Sequence, residues 1–71
     1  MSGKYMIVYD KLWKKMEEAG VSQYRILNSG ISHSTLARLK NNQPVNTESI
    51  EKLCRVLDCR VEDIMEYVKE Q

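Results

Sequence analysis

Apolar residues recur along this 71-residue chain at helical spacing, in short stretches separated by Gly, Ser, Asn and Pro. Tyr9, Leu12, Trp13 and Met16 fall at i, i+3, i+4 and i+7, one face of a first helix over about Asp10 to Ala19. Asp10 is its expected N-cap, and Gly20 ends it. Ser22 caps a second helix, about Gln23 to Ser29, with Ile26 and Leu27 inward. Gly30 supplies a turn, because it takes φ > 0 without a Cβ clash. Ser32 then caps a third helix, about His33 to Asn41. A fourth runs from a cap at Asn46 or Thr47 to about Asp58, with Ile50, Leu53, Cys54 and Leu57 on one face. Val61, Ile64, Met65 and Val68 repeat that spacing and predict a fifth helix. Before all of these, Met6-Ile-Val-Tyr9 reads as a short extended arm or strand. The expected fold is all-α: a compact five-helix bundle in one domain, residues 1–71. Its expected core is Leu12, Met16, Ile26, Leu27, Ile31, Leu36, Leu39, Ile50, Leu53, Cys54, Leu57 and Ile64.

The third helix is the unusual one. Leu36 and Leu39 are its only apolar positions besides Ala37, so it buries a narrow stripe and exposes the rest. Two capping serines ten residues apart with a glycine between them spell a helix-turn-helix over about residues 22–41. Asp and Glu are absent from Ala19 through Thr47, although the chain holds 10 of them. A surface that approaches phosphates cannot tolerate carboxylates. The net charge of +1 is not that of a strongly basic nucleic-acid binder, but it is unevenly spread. Arg25, Arg38, Lys40 and His33 lie in the acid-free middle, and the C-terminal third is acidic. A small positive face can bind a phosphate backbone if the acids point away.

Composition adds limits. An apolar share of 42% and a charged share of 30% are ordinary for a soluble globular protein. The apolar run at Met6–Tyr9 is too short for a signal peptide or a membrane span, so a cytoplasmic protein with reduced cysteines is expected. Cys54 and Cys59 lack the CxxC spacing of zinc or redox sites, and Cys54 reads as a small core residue. No metal, cofactor or small-molecule ligand is expected. An enzyme is the least favoured class: there is no paired carboxylate motif, no nucleophile with a base and no Gly-rich phosphate loop.

Three blocks then carry a resemblance: Ser22-Gln23; Gly30-Ile-Ser-His-Ser-Thr-Leu-Ala-Arg-Leu39; and Ile50-Glu-Lys-Leu-Cys-Arg-Val-Leu-Asp-Cys59 followed by Val61-Glu-Asp-Ile64. Their order and spacing resemble the Cro and phage-repressor type of helix-turn-helix domain, over about residues 9–66. The span from Ser22 to Gly30 is one residue shorter than that family's usual second helix and turn. The resemblance implies a phosphate contact for Gln23, base readout for His33, Ser34 and Arg38 with Thr35 nearby, and a backbone clamp at Asn41. It also implies double-stranded DNA as partner.

The residues themselves leave some of these roles open. Arg38 can bond guanine O6 and N7 through its fork, or be a solvated surface Arg. Ser34 and Thr35 read bases or are ordinary first-turn residues. Lys40, Asn41 and Asn42 form a phosphate clamp, or a favourable helix end with an Asn cap. Ser22 joins Gln23 on the phosphate side. One such module makes few contacts, so a homodimer on a palindromic site is expected. Its surface is either the Met6–Tyr9 arm or the fifth helix with Met65, Tyr67 and Val68. The leading function is a sequence-specific DNA-binding transcriptional regulator. The alternative is a protein-interaction module on the same fold, antitoxin-like or adaptor.

Overall fold

The computed structural model describes residues 5–69. Its order is β1 (Tyr5–Val8), α1 (Asp10–Ala19), α2 (Gln23–Asn28), α3 (His33–Lys40), α4 (Thr47–Leu57), a single 3₁₀ turn (Val61–Asp63) and β2 (Glu66–Lys69). Caps set the helix starts. Ser22 Oγ accepts the Arg25 N–H at 3.2 Å, Ser32 Oγ accepts that of Thr35 at 3.1 Å, and Asn46 Oδ1 accepts that of Ser49 at 2.8 Å. Asp10 departs from expectation. It is the first residue inside α1, and Tyr9 holds the cap position without a side-chain bond. The Tyr9 N–H instead donates to Asn42 Oδ1 at 3.0 Å, tying the entry of α1 to the loop after α3.

Three helices end in the same way. The residue after the last turn takes a left-handed conformation: Gly20 at φ 69°, Asn42 at 54° and Asp58 at 51°. The next N–H then reaches five residues back: Val21 to the Met16 carbonyl (2.9 Å), Gln43 to that of Arg38 (2.8 Å) and Cys59 to that of Cys54 (3.1 Å). These are the 6→1 bonds of Schellman motifs, which place the two bonded residues' side chains together.

The fifth helix does not form. Val61–Asp63 makes one 3₁₀ turn, closed by the Arg60 N–H on Asp63 Oδ2 at 3.0 Å. Ile64 enters the core, and Glu66–Lys69 pairs antiparallel with β1 in the register Met6↔Val68 and Ile7↔Tyr67. The all-α, five-helix expectation is therefore corrected to four helices and a two-stranded ribbon. The reason is a partner. Spacing alone fits a helix, but Tyr67 and Val68 favour strands, and the backbone groups of β1 need a second strand.

Among the described residues twelve apolar side chains form the core, and Leu12, Ile26, Leu39, Leu53 and Ile64 are wholly buried. Tyr9 and Val21 join it, whereas Leu27 and Cys54, expected in the core, pack against it half-buried. Burial raises the Tyr9 phenol above its ordinary pKa. No polar or charged side chain is buried among the described residues.

Candidate nucleic-acid interface

The turn between α2 and α3 is held from outside the motif. Lys52 Nζ, on α4, donates to the Gly30 carbonyl at 3.2 Å. Gly30 sits at φ 102°, and a Cβ there would lie 3.2 Å from that ammonium. Any other residue would therefore be strained and would also displace the tie. Ile31 is buried directly after, which anchors the start of α3.

From this anchorage α3 turns Leu36 and Leu39 inward and leaves His33, Ser34, Ala37, Arg38 and Lys40 exposed. Ser34, Arg38 and Asn41 stand at i, i+4 and i+7, and His33, Ala37 and Lys40 form the neighbouring row. The described ion pairs all lie in the C-terminal third: Lys52–Glu48, Arg55–Glu51 and Arg60–Glu62. Among the described residues Arg25, Arg38 and Lys40 take part in none. Their charges face solvent without a carboxylate partner, as a phosphate-facing surface requires.

The other expected contacts are placed with more detail than sequence can give. Thr35 is half-buried, and its Oγ1 accepts from Ser32 Oγ at 3.0 Å, so it belongs to the cap cluster more than to the open face. Ser34 Oγ lies 3.1 Å from the same hydroxyl. Asn41 Nδ2 donates to the Ala37 carbonyl at 2.9 Å, so this residue does cap its helix. It keeps one amide hydrogen and its oxygen for other partners. Asn42 commits its oxygen to Tyr9 and keeps its amide group for an acceptor. Ser22 uses its lone pairs at the α2 cap while its hydroxyl hydrogen stays available, and Gln23 is exposed beside it.

Three residues were not singled out from sequence. Ala37 is an exposed methyl between Ser34 and Arg38. Gln43 is exposed and held beside Arg38 by the 2.8 Å backbone bond. Lys52 supports the turn. Only Lys52 carried a sequence signal, its position four residues after Glu48 on α4; Gln43 depends on the left-handed Asn42, which spacing does not reveal.

A short capped helix, a glycine turn and a second helix exposed on an acid-free face define a helix-turn-helix DNA-binding domain. The profile of the Cro/C1-type HTH DNA-binding domain family matches residues 11–70, and the chain belongs to that family. It is similar to the crystal structure of the transcriptional regulator VanUg, Form II, with a TM-score of 0.86 and 30% identity over 99% of this chain and 93% of that one. No curated protein sequence matches it significantly. No helix among the described residues is long and apolar enough to cross a membrane.

Proposed function

We propose that this protein is a sequence-specific DNA-binding transcriptional regulator that docks α3 in the major groove. The observation that carries this reading is the exposure of five of the eight residues of α3, within a segment, residues 19–47, that holds no Asp or Glu. Arg38 reads a guanine through two parallel hydrogen bonds, and His33 and Ser34 meet neighbouring base edges, with Thr35 at the margin. Ser22 and Gln23 hold the backbone on one side, and Lys40, Asn41 and Asn42 on the other. Residues 1–71 act as one domain in the cytoplasm.

A homodimer follows from the small size of one such footprint. The ribbon supplies its surface. Tyr5, Ile7 and Tyr67 are 55%, 40% and 67% exposed, and the two tyrosine rings stack at 5.1 Å between centroids. An isolated two-stranded ribbon is marginal in water, and covering this face by a second copy stabilises it.

The exposed tyrosines also favour a second reading, in which the ribbon docks a different protein and the chain is an interaction module. Binding to a mixed-sequence duplex, measured by fluorescence anisotropy between about 50 and 200 mM salt, separates the two. A regulator loses affinity steeply, with a log–log slope of about −0.9 for each phosphate neutralised. An interaction module shows no such binding.

A further inference from the structure

The Schellman motif at the end of α4 differs chemically from the one at the end of α1. In α1 the paired residues are Met16 and Val21, both buried in the core. In α4 they are Cys54 and Cys59, the only cysteines of the chain, both half-buried and both reduced. They are five apart in sequence, a spacing that puts them on no common helical row. The left-handed Asp58 folds the chain back and sets them side by side. Both line one groove of about 430 Å³, together with Ile50, Val61 and the thioether-bearing Met65, and with Thr47, Glu51 and Arg60.

The setting favours some chemistry over other chemistry. Among the described residues no group of three or more His, Cys, Asp or Glu side chains is arranged to hold a metal ion. Two thiols and a thioether in an apolar groove are instead the donor set of a soft cation.

We propose that Cys54 and Cys59, with Met65 as a third sulfur donor, form a binding site for a thiophilic monovalent cation of the Cu(I) class. Binding releases two protons, one from each thiol, and forms two Cu–thiolate bonds and one Cu–thioether bond as the ligands that carried the copper leave. Copper remains Cu(I), and no electron moves. The site lies on α4 and the segment after it, away from the residues assigned to DNA, so it stands independently of the DNA reading.

The test is an anaerobic titration of the full reduced chain with Cu(I), supplied as its acetonitrile complex, against the competing chelator bicinchoninate. The wild type should withdraw one equivalent per chain, with only sulfur scatterers around copper in X-ray absorption. Cys54→Ser and Cys59→Ser should each weaken binding by more than the roughly 10–100-fold that loss of a merely supporting partner costs. Met65→Leu, which preserves volume and folding, should weaken it roughly tenfold. Failure of the wild type to compete with the chelator would overturn the proposal whether or not the serine variants fold. So would one copper shared between two chains, a nitrogen- or oxygen-dominated shell, or serine variants that bind as tightly as wild type.

Discussion

The acid-free face of α2 and α3 and the β1–β2 ribbon present opposite kinds of surface. On the first, hydroxyls, carboxamides and unpaired cations are exposed together with one aromatic, Tyr24, and the apolar residues Ile26, Leu36 and Leu39 are buried beneath them. On the second, two tyrosines and an isoleucine face solvent. Polar groups with spare hydrogens suit a hydrated polyanion, because water and phosphate compete for the same donors at little cost. Exposed aromatics suit a dry protein contact. A chain of this size thus divides its exposed surface by chemistry.

That division can be attacked at several strengths. The largest effect removes the common support. Leu39→Ala deletes a wholly buried side chain behind α3 and should cost about 2–5 kcal/mol of stability by urea denaturation. A loss below about 0.5 kcal/mol would mean that α3 faces a different way. Next comes Arg38→Ala, which should weaken the best duplex site by about 1–3 kcal/mol in anisotropy titrations, while a mixed-sequence duplex is affected much less. Tyr67→Ala should weaken self-association by about 1–2 kcal/mol in sedimentation equilibrium and leave helicity intact. If it weakened non-specific DNA binding instead, the two surfaces would not be separate. The smallest effect is that of Lys40→Ala, a modest loss on every duplex with a salt slope shallower by about one.

The helix-turn-helix was legible in the sequence because its signals are local. Ser22 and Ser32 bond N–H groups three residues on, and Gly30 is required by its own φ. The ribbon was not legible in the same way. Its strands lie at opposite ends of the chain, and Val61, Ile64, Met65 and Val68 fit a helix until Met6 and Ile7 are brought alongside. The Cys54–Cys59 pair was hidden for a related reason: the turn that joins them uses Asp58, which does not announce a left-handed residue as Gly20 does. Of the candidate site, the exposed row of α3 was readable from its two leucines. The internal bonds of Thr35, Asn41 and Asn42 were not, since each depends on where the next turn of chain goes.

The proposed regulator depends on α3 meeting base edges. Selection of bound sites from a random duplex pool, run in parallel on wild type and Arg38→Ala, tests it most directly. The wild type is expected to select a two-fold symmetric motif with half-sites about 10 base pairs apart. Arg38→Ala is expected to keep this motif but to lose its preference for guanine at one position of each half-site. A wild type that enriches no motif, or a variant whose motif is unchanged at every position, would contradict it.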